Sequence, residues 1–302
     1  QLPVPERRVG HRTLPLIPPE IYLEILEHLA PPGEEPSPEQ TKTLARVAGT
    51  CKLFCHIALP RIYERINVVG SVYYRHDNVY SNRGASLCGR IVAREDLALW
   101  AAKCVKECNV RNWLSNSEGS WAVSIFAERY ASSLRRMTNI HRLTFFECLI
   151  LNEHWRTIMA LGALKELVFD RCQFTESIQL EDGTQPTKLR VPSIEVYGGG
   201  AHDQVLAKVL DLGRLRSLKT DVPFVKSLDW PMDCTLKQLH LKDITYDFRG
   251  HRSTLRHILQ RTARFVVELK LSFFERTLFS KFEDYFQGSL PDNFQNLRSL
   301  TL

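Results

Sequence analysis

Leu164-Lys-Glu-Leu167-Val-Phe169-Asp-Arg-Cys172 is the stretch that decides the fold. Its apolar residues fall at the first, fourth and sixth places, and a cysteine follows three residues after the last. The alternation within the frame is that of a short strand with one buried face. The frame appears upstream as Ile140, Leu143 and Phe145 with Cys148, and earlier as Val105, Cys108 and Val110. Downstream come Val191, Ile194, Val196, then Leu236, Leu239, Leu241. Val266, Leu269, Leu271 and Leu297, Leu300, Leu302 follow, and Leu215, Leu218, Thr220 form a weaker copy. From Leu143 onward the central residues recur at steps of 21 to 31 residues. A period of that size marks a repeat architecture. Helices are expected between frames, at 204–210 and 254–261, so the fold class is α/β with one strand per repeat.

Residues between the buried positions point the other way. They make one row of Thr144, Val168, Glu195, Lys219, His240 and Lys270. A second row holds Phe146, Asp170, Tyr197, Asp221, Lys242 and Ser272. Cross-strand charges such as Glu195 beside Lys219 suit a merely solvated face. Phe146 and Tyr197 amid mixed charge suit an interface. On the second reading Phe146, Asp170, Glu195, Tyr197, Lys219, Asp221, His240, Lys242 and Lys270 are the candidate recognition residues. Cys148 and Cys172 read as structural, their small polar tips bonding backbone groups that the strand leaves unpaired. Later copies carry Gly199, Pro223 and Ile244 in that slot.

A small helical unit precedes the repeats. Pro18 and Pro19 suit the first turn of a helix, where no N–H is needed. Ile21, Ile25 and Leu29 then recur every four residues, with Tyr22 and Leu26 beside them, giving a wide apolar stripe. A polar loop runs to Gln40. A second helix carries Leu44 and Val47 and ends at Gly49, and Thr50 suits the N-cap of a third, with Cys51, Phe54, Cys55 and Ala58 on one side. A break is expected at Pro60. These stripes are wider than a bundle of about 50 residues can bury, so part of that surface is expected to meet a partner. Further on, 61–68 is read as holding a first strand, 71–84 and 115–120 as loops, and 86–104 and 121–134 as helices.

The chain has 302 residues with 44% hydrophobic and 25% charged, ordinary for a globular protein with one large or two modest domains. The net charge of +6 is dispersed, which gives no ground for nucleic-acid binding. No run approaches the roughly 20 apolar residues of a membrane helix, and no apolar signal segment is visible in 1–13. Eight cysteines are too sparse for a disulfide scaffold, so reduced thiols in a cytoplasmic or nuclear protein are expected.

Motifs for chemistry are thin. Gly198-Gly-Gly200 follows a strand and precedes a helix, but neither a Gly-x-Gly-x-x-Gly fingerprint nor a Gly-Lys-Ser/Thr ending follows. A tight turn explains the glycines equally well. Cys51 with Cys55, and Cys104 with Cys108, stand four apart without the further pair a zinc site needs. No nucleophile elbow or metalloprotease helix is present. The reading is therefore non-catalytic, with no cofactor and no metal.

The residues of the helical unit resemble an F-box. Ile17-Pro-Pro-Glu-Ile21, with Ile25, Leu26 and Leu29, is similar to the Leu-Pro-x-Glu-Ile opening of that module. Leu44-Ala-Arg-Val47, Cys51-Lys-Leu-Phe54 and Leu59-Pro-Arg-Ile-Tyr63 are similar to its second half. Ile17 replaces the usual Leu, and the 30–40 loop is longer than usual, a change that loop closure tolerates. The frames resemble the leucine-rich repeats of F-box receptors, in the irregular form of fungal members. The resemblance implies a flexible segment at 1–13, an F-box at 14–66 and a leucine-rich-repeat solenoid at 67–302, with a parallel sheet on its concave face. Within it, 67–104 is an irregular opening region and 105–302 the repeats, which are expected to continue beyond 302. It implies a substrate receptor of an SCF-type, cullin–RING ubiquitin ligase, docked on a Skp-family adaptor and presenting a protein substrate. The adaptor-contact residues carried over are Leu16, Pro18, Ile21, Ile25, Leu29, Leu44, Val47, Cys51 and Phe54, some of which will instead hold the helices together. The alternative is a repeat scaffold acting outside any ligase, its helical unit serving only as a cap.

Overall fold

A computed structural model describes residues 18–29, 37–69, 83–113, 129–174, 188–198, 203–231, 234–244, 251–273 and 296–301. Leu16, residues 30–36 and residues 71–82 of the predicted 71–84 loop lie outside these residues, as do the predicted loop at 115–120 and the first part of the predicted 121–134 helix; residues 83–84, expected in the loop, are instead helical.

Three helices open the chain: α1 (Pro19–Leu29), α2 (Pro38–Ala48) and α3 (Lys52–Tyr63). As expected, α1 begins at the second proline of the pair, and Gly49 closes α2 by donating its N–H to the carbonyls of Ala45 and Arg46, both at 3.1 Å. The start of α2 is a capping box. Ser37 Oγ accepts from Gln40 N–H at 3.2 Å while Gln40 Oε1 accepts from Ser37 N–H at 2.7 Å.

Two expectations fail here. Thr50 does not cap α3; its hydroxyl turns back to donate to Val47 O at 2.7 Å, and Cys51 stands at the N-cap with no side-chain bond. Nor does Pro60 break α3, which runs through it to Tyr63. Pro60 stands in the final turn, so it removes one helical bond, and Ala58, Ile57 and Ile62 anchor that turn in the small core around Leu26 and Leu44.

From α3 the chain passes through Glu64 straight into β1 (Arg65–Val69). Next come α4 (Arg83–Val92) and α5 (Asp96–Cys104), where the sequence predicts one helix over 86–104. Arg94 interrupts it with φ 60°, a left-handed conformation that ends a helix, and the Arg90–Glu95 ion pair at 2.5 Å spans the corner.

The remaining elements are β2 (Glu107–Trp113), β3 (Arg142–Ile150), α6 (Asn152–Ala160), β4 (Glu166–Asp170), the short β5 (Gln173–Phe174) and β6 (Ser193–Tyr197). After them come α7 (Asp203–Val209), β7 (Ser217–Asp221), α8 (Val222–Ser227), β8 (Gln238–Ile244), α9 (His251–Thr262), β9 (Glu268–Phe273) and β10 (Ser299–Thr301). Residues 129–134 are also helical.

Every pairing in the sheet is parallel, and apart from β5, which pairs with β3, the strands stand side by side in chain order. The register lays the frames on top of one another. Ile66, Cys108, Leu143, Leu167, Ile194, Leu218, Leu239, Leu269 and Leu300 are successive Cα partners across nine strands. The next inward row runs Val68, Val110, Phe145, Phe169, Val196, Thr220, Leu241, Leu271.

A backbone bond repeats with the period as well. Lys106 N–H donates to Glu64 O, His141 to Lys106, Lys165 to His141, Arg216 to Pro192, Lys237 to Arg216, Val267 to Lys237 and Arg298 to Val267, each at 2.8 Å. Pro192 holds this donor position at β6, and the following Ser193 N–H reaches Lys165 O instead, at 3.1 Å.

The inward rows and the helices between strands share one core. Phe145 stacks on Phe169 at 5.6 Å between centroids, and Trp155 from α6 lies 5.7 Å from Phe169. Such aromatic pairs add to the burial that holds neighbouring units together. Cys148 and Cys172 play the expected structural part. Cys148 Sγ bonds Val110 O at 3.4 Å, and Cys172 Sγ bonds Phe145 O at 3.3 Å, each reaching one strand back.

Candidate functional site

The helical head divides its apolar residues between a core and a surface. Leu26, Leu44 and Ala58 are fully buried, with Leu29, Val47, Ala48, Ile57 and Ile62 packed partly against them. Ile21, Leu23, Ile25 and Leu53 remain 43%, 42%, 51% and 37% exposed. Three of these large aliphatic side chains stand on α1 and one on α3, and exposed apolar surface of this kind on a short helical unit suits an interaction site.

Among the candidate contact residues, Pro18, Ile21, Ile25 and Cys51 are exposed, and Phe54 is half-buried, edge-on to Tyr22 at 5.2 Å. Leu44 belongs wholly to the interior, which corrects its assignment as a contact, and Leu29 and Val47 face the core with part of their surface. Leu23 and Leu53 were missed. Leu23 lies off the every-fourth-residue stripe of α1, and periodicity in α3 favours the Phe54–Ala58 side.

The sheet's second face carries the outward rows in the predicted register. Thr144, Val168, Glu195, Lys219, His240 and Lys270 are consecutive Cα partners, as are Phe146, Asp170 and Tyr197, and separately Asp221 and Lys242. Ser272 leaves its row because the β8–β9 register shifts after Leu241; its hydroxyl meets His240 Nε2 at 2.9 Å instead. An outermost row adds paired charges at the strand starts: Arg65–Glu107 at 3.2 Å and Arg142–Glu166 at 3.5 Å, and Gln238 donating to Glu268 at 2.8 Å.

Glu195 is the centre of this face and is only 7% exposed, although it stands on the open side. It pairs with Lys219 and accepts from the Tyr197 hydroxyl at 3.2 Å. Burial opposes its charge, but Lys219 and Tyr197 outweigh burial and hold the carboxyl below its usual range. Neighbouring Glu166 is pushed the other way, by burial first and then by Glu195, against the pull of Arg142. Val168 of the same outward row is also buried, and of the candidate recognition residues Glu195 is the one covered by its neighbours.

Around this centre cations lie on rings. The Arg171 guanidinium sits 4.4 Å from the Phe146 centroid while pairing with Glu147 at 2.8 Å and Asp170 at 3.6 Å. The Lys242 ammonium sits 4.2 Å from the Tyr197 centroid. His240 lies between Lys219, Lys242 and Lys270, and burial together with these three cations lowers its pKa to about 4. A cavity of about 390 Å³ opens here, bounded by Lys219, His240, Lys242, Glu268, Lys270 and Ser299.

Asp221 contradicts its assignment as a recognition residue. Its Oδ1 accepts from Phe224 N–H at 3.2 Å and caps α8, with Pro223 in the first turn. Asp-x-Pro before an apolar pair is a legible N-cap signal. Gly198 adopts φ 63°, and a Cβ there would stand 2.7 Å from Arg171 Cγ, so the glycine serves a tight turn; Gly199 and Gly200 lie outside the described residues.

Among the described residues no group of three or more His, Cys, Asp or Glu stands where it could hold a metal ion. No helix among them is long and apolar enough to cross a membrane. Neither a protein-family model nor a curated protein matches the chain.

Proposed function

We propose that this chain is the substrate-recognition subunit of a cullin–RING, SCF-type ubiquitin ligase. In this reading 14–66 is an F-box that docks on a Skp-family adaptor, and the strands from β2 onward are leucine-rich repeats whose open face holds a protein substrate. The observation that carries it is the exposed aliphatic set Ile21, Leu23, Ile25 and Leu53 on a head whose own core is filled by Leu26, Leu44 and Ala58. A head that only capped the sheet would turn its apolar stripe inward. Support for the repeats comes from the nine-residue row Ile66 to Leu300 and the 2.8 Å bond that recurs at the starts of β2, β3, β4, β7, β8, β9 and β10.

Such a receptor breaks no bond itself. The adaptor tethers it to the ubiquitin-charged enzyme, and the substrate bound on the sheet gains effective concentration. The substrate contacts would be Phe146, Asp170, Tyr197, Lys219, His240, Lys242 and Lys270, with Glu195 fixing Lys219 and Tyr197 from beneath. No cofactor or metal is needed. The cytoplasm or nucleus is where such a ligase works.

A second reading, a repeat scaffold outside any ligase, draws on α3 running into β1 and on His56 lying 5.8 Å from Trp100 of α5, which joins the head to the body. Affinity capture of the tagged chain from cells treated with a cullin inhibitor separates the two. The ligase reading expects the Skp-family adaptor and a cullin among the stoichiometric partners. Capture without the adaptor overturns it.

A further inference from the structure

The open face of the sheet is not uniform in charge, and its β8–β9 end differs in kind from the rest. Over β1 to β6 most outward charges pair off: Arg65 with Glu107, Arg142 with Glu166, Arg171 with Glu147 and Asp170, and Glu195 with Lys219 of β7, while among the described residues Arg111 of β2 stands apart as a single exposed cation. The carboxylates that flank the β8–β9 end are committed elsewhere. Glu195 is held by Lys219 and Tyr197, Asp221 caps α8, and Glu268 accepts from Gln238 at the lower rim of the cavity. Among the described residues, neither Lys242 nor Lys270 has a carboxylate within ion-pair distance.

Position concentrates these cations. Lys219, His240 and Lys270 are Cα partners on β7, β8 and β9, about 4.8 Å apart from strand to strand. Lys242 lies two residues beyond His240 on the same side of β8, about 7 Å along the strand. Like charges gathered this closely repel one another, and an anion among them relieves the repulsion. Hydroxyl donors stand beside them: Ser272 against His240, and Ser299 and Thr301 on β10, with Thr301 the Cα partner of Lys270. The cavity beside them holds about 390 Å³ and is open to solvent, room enough for a side chain carried on an extended segment.

We propose that Lys242 and Lys270, with His240 between them, bind an anionic group carried on an extended protein segment. This rests on reading the open face as the substrate surface and names the chemistry of the substrate there; it does not depend on the adaptor. The anion is either a phosphate ester or a cluster of carboxylates, and both answer to the same donors. His240 is the built-in reporter. Burial and the three lysines hold its proton off, and an anion placed among them returns it.

The test uses the purified full chain and two fluorescein-labelled hexapeptides, one of glutamate and one of Ser and Gly with a single phosphoserine. Anisotropy is followed at low and at rising salt, with the NMR titration of the His240 ring recorded in parallel. The expected result is saturable binding of at least one peptide that weakens with salt, and a rise of roughly one unit in the His240 midpoint on binding. Preference for one peptide identifies the source of the anion. The Lys242→Gln/Lys270→Gln variant should weaken binding about tenfold or more, while Lys188→Gln/Lys208→Gln, around a separate cavity, should leave it unchanged. Binding of neither peptide, an unmoved His240 midpoint, or equal affinity in the Lys242/Lys270 variant overturns the proposal. Because no adaptor is present, such a failure leaves the ligase reading untouched, and loss of adaptor binding leaves this result standing.

Discussion

Lys219 on β7 and Glu195 on β6 are Cα partners whose side chains close an ion pair on the open face, the glutamate side chain 9% exposed and the lysine side chain 40%. The two residues carry unequal burdens. Glu195 has given up its water and depends on Lys219 and Tyr197 for compensation, whereas Lys219 keeps solvent contact.

Removing the lysine should therefore cost more than removing the pair. Lys219→Met leaves a buried carboxylate held only by hydrogen bonds to Tyr197 and Glu166, with no cation beside it, and is expected to lower stability by roughly 1–2 kcal/mol, discounted for the lysine's exposure. Glu195→Gln with Lys219→Met should recover most of that loss. Urea unfolding of the two variants checks this, and equal destabilisation would show that the pair is not what holds Glu195.

Thr220 is the one polar member of an inward row otherwise built from Val, Phe and Leu, and its fully buried hydroxyl has no hydrogen-bond partner among the described residues. Thr220→Val keeps the shape and removes the orphan group. A gain of about 1 kcal/mol is expected, read as a higher Tm with unchanged circular dichroism. A lower Tm would mean that the hydroxyl is bonded in solution.

His154 ties stability to pH. It is buried, its Nδ1 accepts from Leu151 N–H at 3.1 Å, and burial lowers its pKa from 6.5 to about 4. The folded protein therefore favours the neutral ring, and below pH 6.5 the unfolded chain binds the proton more readily. The contribution is complete above pH 6.5 and declines as pH falls towards 4, by roughly 3 kcal/mol over that window. His154→Gln should flatten this part of the stability profile. An unchanged slope would place the acid sensitivity elsewhere.

Thiol labelling reads the head against the body. Cys51 is exposed and Cys55 half-buried, whereas Cys88, Cys108, Cys148, Cys172 and Cys234 are buried. Burial pushes Cys88 up to about 12 and Cys104 up to about 11. Ellman's reagent at pH 8 should react with Cys51 first and reach the five buried thiols only on unfolding. Rapid native reaction at Cys148 or Cys172 would contradict their packing.

The strand frames were legible because one physical demand, an apolar residue at a fixed place in every strand, repeats along the chain, so even the weak Leu215–Leu218–Thr220 copy falls into register. Helix boundaries were less so. The turn at Arg94 depends on one residue entering a left-handed conformation, which its side chain does not announce, and Pro60 is tolerated because later residues of α3 are held by packing. Asp221 shows a different failure: its N-cap signal was present, but the repeat pattern claimed the position for the open face. In the head, the stripes identified which residues are apolar and left open which of them stay in water. That division depends on how three helices pack, a tertiary outcome that separates Leu44 from Ile21 although both lie on regular apolar stripes.

That division supplies the most direct test of the ligase reading. Calorimetric titration of the purified chain with a purified Skp-family adaptor should give a one-to-one complex. Ile21→Asp/Ile25→Asp should weaken it at least about a hundredfold with little change in Tm, because both side chains are exposed in the free chain. Leu44→Ala, a core truncation, should instead destabilise the head by about 2–4 kcal/mol. No heat of binding for the wild-type chain, or equal affinity for the Ile21/Ile25 variant, would contradict the account.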